Sequence, residues 1–460
     1  MAGSSTRPPS WPKLPAYLVS RRTVLKGLAG AVSLAAVPEL LAACGQGASS
    51  SATVAATGGA LSVGSYASDS APKQGMSSVN DAFGPANGGT KVTTNTVDHG
   101  TFQDQITSYL QGTPEDVFTW FSGHRMRFFA SKGLATSIDD VWDKVKGNFS
   151  GAFAESVKGN DGHIYGVPVD YYPWGVFYRK SVFQAGNYKV PTNWDDFKAL
   201  CVQMQKDGLT PLALGDLDGW PAQGWFDILN LRLNGYDFHT EVLTGKQKFT
   251  DSRVTNVFNK WAEITSYYNP AVAGTKWQDA GNMLVQKKAG MMLIGLFVSQ
   301  QFLPAVAGPD ALNDLDFFAF PQMGTQYDAE NALDAPIDIM MMSKKSPTLS
   351  KDLGQAKAYL EFWAKGSTQL ISAKAQGLGV LPTGNDTDTS SYTPLTQKAV
   401  QIIKSAKRIT QYFDRDSRPD FSGANGMQSF LLTFLKNPKG DIHGLQGTMQ
   451  QFWDSLPPEA

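Results

Sequence analysis

From about residue 60 onward, apolar positions alternate between a two-residue and a three-to-four-residue period. "ALSVGSYAS" (60–68) alternates small and apolar residues and predicts a strand. "APKQGMSSVNDAFG" predicts a helix that stops at Gly84-Pro85. "TKVTTNTVDHG" is rich in β-branched residues and predicts a second strand. In "TFQDQITSYLQG", Phe102, Ile106, Tyr109 and Leu110 share one helical face and Gly112 is the stop. "EDVFTWFSG" predicts a third strand, and "MRFFASKGLATSIDDVW" a helix, a glycine stop and another turn. Strands that alternate with helices argue for α/β layers around a largely parallel sheet. Ligands of such sheets sit beyond the carboxyl ends of the strands. That rule selects the loops at 66–69, 98–99 and 120–125.

The second part of the chain is patterned differently. "HIYGVPVDYYPWGVFYRKSVF" predicts an extended segment, a strand and a short helix; Pro191 and a helix capped near Asn193 follow. A helix-rich stretch is expected from "GWFDILNLRL" to "GNMLVQKKAGMMLIGLFVSQQF". "LDFFAFPQMG" and "APIDIMMMSKKS" predict two strands, and "KDLGQAKAYLEFWAKGSTQLISAKAQG" is helical. "LGVLPTGNDT" is a link, after which helices dominate. No internal repeat is present.

Composition narrows the class. A chain of 460 residues, 42% hydrophobic and 18% charged, can bury a sizeable core in two or three domains. A net charge of −1 provides no basic field for nucleic acid. Part of the 11 Trp and 15 Tyr must be core, but the Trp count also suits a protein that stacks rings on a ligand.

The N-terminal region carries "SRRTVLK" (20–26), a weakly apolar run to Ala43, and then "LAAC" and "GQGASSSATVAATGG". The run is too short and polar to span a membrane and has the layout of an export signal. It resembles a twin-arginine signal, with Val24 where Phe is commonest. Leu41-Ala42-Ala43-Cys44 resembles a bacterial lipobox, which implies cleavage before Cys44 and acylation of its sulfur. Acyl chains hold a soluble domain on a bilayer without spanning it. The polar stretch that follows reads as a tether. Residues 1–43 are thus an expected export signal, and 44–59 an anchor and tether. Loss of Arg7, Lys13, Arg21, Arg22, Lys26 and Glu39 takes the net charge from −1 to −5. Cys201, in the amphipathic "FKALCVQMQ", is then a single buried thiol with no disulfide partner.

The order of elements resembles family 1 extracellular solute-binding proteins, the substrate receptors of carbohydrate ABC importers. "YGVPVDYYPWGVFYRKSVFQAGNYKVPTNWDDF", "KKAGMMLIGLFV", "FFAFPQMG" and "QYFDRDSRPDF" carry the resemblance, with Arg179 where the family has Asn. It implies an α/β, two-lobe periplasmic-binding-protein-like fold with a ligand cleft and crossover hinge segments. The expected lobes are 60–168 plus 322–379, and 169–321 plus 380–460. It also implies a monomeric, non-catalytic receptor on the outer face of the cell membrane, delivering a sugar or polyol to ABC importer membrane subunits. No cofactor, metal or nucleic acid is expected.

Aromatic rings bury the C–H faces of a sugar, and Asp, Asn, Arg and His bond its hydroxyls. The resemblance points to Trp120 at the end of the third strand, for which a buried strand-end ring is the alternative. Many relatives place an aspartate next; here His124 and Arg125 stand in. In the first crossover, alternation aims either Asp170, Tyr172 and Trp174 or Tyr171 and Pro173 at the ligand. The first set holds the carboxylate and is preferred. Trp220, Trp225 and Phe297 are expected stacking rings, with lobe-two core as the alternative for the two Trp. Arg415 and Asp416 bond hydroxyls or pair with each other at the surface. Tyr66, Asp69, Asp98 and His99 complete the set.

Two other readings stay open. An exported glycoside hydrolase needs two carboxylates at a fixed separation, such as Asp170 and Asp416. A partner-binding surface lipoprotein would share the anchor but would not need cleft aromatics. No serine-hydrolase elbow, zinc-protease helix or P-loop motif occurs in the sequence.

Overall fold

The computed structural model describes residues 59–346 and 353–459. The expected export signal and Cys44 lie outside the described residues. Strand β1 (Ala60–Ser65) pairs in parallel with β2 (Lys91–Thr96) and β3 (Val117–Phe121). Helix α1 (Ser70–Ala86) buries Met76, Val79 and Phe83, spaced by three and four residues. It runs through the predicted Gly84-Pro85 stop to Ala86, because a proline in the last turn forgoes only one helix bond. Helix α2 (His99–Gln111) buries Phe102, Ile106 and Leu110, and the Asp98 side chain caps it by accepting from the Thr101 N–H at 3.1 Å. Helix α3 (His124–Ser131) follows β3, and β4 (Ala135–Thr136) comes next.

The chain then leaves this first layer. Strand β5 (Gly166–Tyr171) belongs to a seven-stranded sheet ordered β12-β5-β11-β3-β1-β2, with β4 also on β11. Strand β6 (Trp174–Arg179) belongs to a second sheet, ordered β7-β8-β6-β9. Only Tyr172 and Pro173 separate β5 from β6. The remaining strands are β7 (Thr210–Leu212), β8 (Ala289–Gly295), β9 (Leu315–Phe318), β10 (Leu333–Asp334), β11 (Ile337–Ser343), β12 (Leu381–Pro382) and β13 (Ile409–Thr410). Strands β10 and β13 form a parallel two-stranded ribbon.

Each sheet has its own buried core. One gathers Val63, Phe118, Trp120, Met340 and Trp363; the other gathers Phe177, Trp225, Phe258, Trp261 and Met292. Two local expectations differ from what is observed. The first sheet is parallel only across β2-β1-β3, since β11 runs antiparallel to β3 and β5, and β12 antiparallel to β5. Part of the stretch expected to be helix-rich, "AGMMLIG", is strand β8, with every position buried. A continuous apolar run has no periodicity to tell a core strand from a core helix.

Two expected sugar contacts are core residues. Trp120 is fully buried, 4.9 Å from Phe121 and 5.6 Å from Phe129 between ring centroids. Trp225 is fully buried against Trp261, Tyr268 and Phe320. Both belong to stretches that are buried on every side, Val117–Phe121 and the first turns of Pro221–Leu243, which wins over proximity to a loop. Cys201 lies buried in the helix Trp194–Lys206, and burial pushes its thiol up to about 12.

Trp225→Ala empties an indole-sized space that rigid neighbours cannot fill. It should destabilise the protein by about 3–5 kcal/mol in chemical unfolding. A loss near zero would mean that the ring is not in the second core.

Candidate functional site

Between the two sheets lies a cavity of about 220 Å³. Its wall comes from the first layer (Tyr66, Asp69, Asp98, His99), the β5–β6 crossing (Asp170, Tyr172, Trp174) and the second layer (Trp220, Phe297, Arg415). These are the predicted residues that the fold brings together. Tyr171, from the rejected alternation, instead packs edge-on against Phe153 at 5.2 Å.

The crossing strand owes its aim to an irregularity. Asp338 pairs with Asp170, but its neighbour Ile339 pairs with Pro168, so Val169 is an extra residue in β5. A bulge of this kind bends a strand and re-aims its side chains at a sheet end. Both Val169 and Asp170 reach the cavity as a result.

One side of the cavity is aromatic. Trp220 stands at the start of the helix Pro221–Leu243, after a turn in which Gly219 adopts φ 76°. The Asp216 carboxylate accepts from the Ala222 N–H at 2.8 Å and fixes that turn; burial pushes its pKa up to about 7. Trp220 lies edge-on to Trp174 at 6.2 Å and to Phe297 at 6.0 Å. Trp277 is edge-on to Phe297 at 5.1 Å, and Tyr412 stacks on Trp174 at 4.8 Å. Tyr412 holds φ 106°, which a bulky side chain adopts only under constraint. The constraint is visible: its hydroxyl donates to the Trp220 carbonyl, and the next N–H, of Phe413, donates to Asp227 at 2.6 Å.

The other side is a row of charges. Arg415 is in the short helix Phe413–Asp416. Its Nη1 lies 2.8 Å from Asp338 Oδ1, its Nη2 donates to the Tyr172 hydroxyl at 2.8 Å, and its Nε is 3.9 Å from Asp414 Oδ1. Asp414 in turn is 3.0 Å from Arg125 Nη1. Burial opposes the Arg415 charge, yet Asp338, Tyr172 and Asp414 outweigh it and raise its pKa. Asp170 faces Asp338 as its register partner, and burial followed by the Asp338 charge raises its pKa well above the ordinary value. His99 is held neutral: burial, then Arg415 and Arg125, lower its pKa to about 4.

Three predicted residues sit behind the wall. Arg125 is buried beneath Trp120, bonded to Gln103 at 2.7 Å and to Asp414, so it supports the row without facing the cavity. His124 points away to Glu459, 3.0 Å distant. Asp416 turns back on its own loop and accepts from the Gln411 N–H at 2.8 Å. Asp170 and Asp416 are therefore not a catalytic pair. The acid beside Asp170 is Asp338, its register partner on β11.

Sequence reasoning missed Asp338, Asp414, Trp277, Gln278 and Tyr412, all of which line the cavity. Asp338 carried a signal, a lone carboxylate in the apolar strand "IDIMMM". Trp277 carried another, an aromatic beside Lys276 at a helix start. Gln278 gave none. Its partner is Asp69 on the opposite wall, 2.9 Å away, and burial raises the Asp69 pKa against that bond.

Comparison with known proteins places this architecture. Residues 45–367 match the bacterial extracellular solute-binding protein family. Among solved structures, the bacterial solute receptor AcbH superposes with a TM-score of 0.81 at 40% identity, covering 86% of this chain and 99% of that one. Its reported substrate preference is exclusively β-D-galactopyranose. An uncharacterised ABC transporter extracellular-binding protein of Pyrococcus horikoshii is 25% identical over 304 residues, 65% of each chain. The alpha-glucosides-binding periplasmic protein AglE of Rhizobium meliloti is 25% identical over 387 residues, 77% of this chain and 79% of that protein. The match thus spans just under two thirds of the Pyrococcus relative. The two-lobe resemblance and the non-catalytic reading are borne out: this chain belongs to the bacterial extracellular solute-binding protein family.

Proposed function

We propose that this chain is the substrate receptor of an ABC importer and captures a carbohydrate of one or two rings in the cleft between its sheets. The observation that carries this is the split character of the cavity. Trp220, Phe297, Trp277 and Trp174 gather on one side, and Asp170, Asp338 and Arg415 on the other. A pyranose has weakly apolar C–H faces and a hydroxyl rim, so it matches both. The cavity of about 220 Å³ is small beside the several hundred Å³ of pockets for drug-sized ligands. That favours a monosaccharide. The galactopyranose preference of AcbH, 40% identical over 86% of this chain, makes D-galactose the first candidate.

The predicted N-terminal features extend the proposal. Arg21, Arg22 and Cys44 direct export and lipid attachment, and the tether leaves the receptor free beside its importer. Among the described residues no helix is long and apolar enough to cross a membrane.

Three outcomes are expected. In a thermal-shift screen of mono-, di- and trisaccharides and polyols, a small set of sugars, D-galactose first, should raise the melting temperature, since a ligand of the native state alone stabilises it by mass action. No shift with any sugar, and a shift with peptides, would overturn the carbohydrate reading. Trp220→Ala should weaken binding by about tenfold or more, because a stacked ring adds roughly 0.5–1.5 kcal/mol beyond its buried area. Its unliganded melting point should change little, Trp220 being only partly buried; an unchanged affinity would remove it from the site. Cys44→Ala should move the protein from the membrane fraction to the soluble fraction. Continued membrane retention without acyl label would exclude the anchor.

A further inference from the structure

The charge row has one acid too many. Asp170, Asp338 and Asp414 are set against only two guanidiniums, Arg415 and Arg125. Asp414 lies between the two arginines and Asp338 meets Arg415 from the other side. Asp170 is left at the end: Asp338 stands opposite it, and the Arg415 charge that reaches it is already shared with Asp338 and Asp414. The backbone forces this, since Asp170 and Asp338 are register partners on β5 and β11, held there by the bulge at Val169. Asp170 Oδ1 and Asp338 Oδ1 are both closed to solvent.

Nothing else near the pair neutralises the surplus. Just past β1, Tyr66 is buried, and its hydroxyl lies 3.5 Å from the Trp120 carbonyl. On α2, His99 packs edge-on to Tyr66 at 5.0 Å and stays neutral. From β3, Phe121 is the register partner of Asp338, and from β12, Leu381 and Pro382 lie beside Tyr171 and Asp170; none of these ionises. In the crossing, Tyr172 is engaged with Arg415. Two buried carboxylates that face each other resist both being ionised beside one shared cation.

We propose that Asp170 and Asp338 share one proton in the unliganded protein and recognise a ligand hydroxyl as a pair, one carboxyl oxygen donating and another accepting. This rests on the carbohydrate reading above. A sugar hydroxyl both donates and accepts, and an acid–carboxylate pair is its complement. Two ionised carboxylates could only accept. No bond is made or broken; the proton stays in the pair and is lost to solvent only as the pH rises. The direction follows from burial, which raises both carboxyl pKa values above the ordinary range. The pair therefore keeps its shared proton to a higher pH than an ordinary carboxyl does. Above the raised pKa the donor disappears, mutual repulsion appears, and affinity falls.

Two measurements test this on the full-length protein. The first is the infrared carbonyl band of a protonated carboxyl in the unliganded protein near neutral pH. Part of that band should vanish in Asp170→Asn. Spectra in which Asp170→Asn removes no such intensity would overturn the shared proton. The second is calorimetric titration with D-galactose as the pH is raised to the limit at which the protein stays folded, where affinity should fall by about tenfold or more in the wild type. An affinity flat across that range would overturn the pair as the recognising group. The outcomes separate the two proposals. Shared-proton intensity with no sugar binding would count against the receptor reading alone. Sugar binding with a flat profile and no such intensity would count against the acid pair alone.

Discussion

Arg415 is the constraint on which the site depends. Its guanidinium is buried, touches an acid from the first sheet and one from its own segment, and donates to the tyrosine of the crossing. A buried cation is tolerated only when its donors are matched and its charge balanced. That requirement fixes Asp338 on β11, Tyr172 between β5 and β6, and Asp414 beside it. Arg125 enters because Asp414 in its turn needs a second cation. Five side chains from four parts of the chain are thereby held in one geometry before any ligand arrives. A receptor that must recognise hydroxyls gains from such preorganisation, because little side-chain freedom is left to lose on binding.

The aromatic side is held by different means. Trp174, Trp220, Phe297 and Tyr412 meet mostly edge to face or stacked, at centroid distances between 4.8 and 6.3 Å. Such contacts fix ring orientation without polar partners. The two sides meet in the Tyr172–Trp174 crossing, where one ring carries a hydroxyl for Arg415 and the next stacks on Tyr412. The short crossing thus couples the charged row to the apolar box.

Much of the first layer was legible in the sequence because its helices and strands are amphipathic. Phe102, Ile106 and Leu110 declare the buried face of α2. The crossing was legible as well, from alternation around one carboxylate. What escaped was whatever depended on partners distant in sequence. Trp120 and Trp225 occupy loop-proximal positions much as Trp220 does, and only packing separates core from cleft. Arg125 was singled out as a contact and proves a support, since its partner Asp414 lies 289 residues away. Strand β8 was hidden by being apolar throughout. Asp338 was written in plain view, an acid in an apolar strand, but its role appears only when Asp170 is placed opposite it.

A crystal structure of the protein with D-galactose or another sugar that binds it addresses the central claim most directly. The account predicts a single pyranose between the sheets, one C–H face against Trp220 or Phe297 and its hydroxyls within hydrogen-bond distance of Asp170, Asp338 or Arg415. Sugar density elsewhere on the surface, with none in this cleft at saturating concentration, would contradict it.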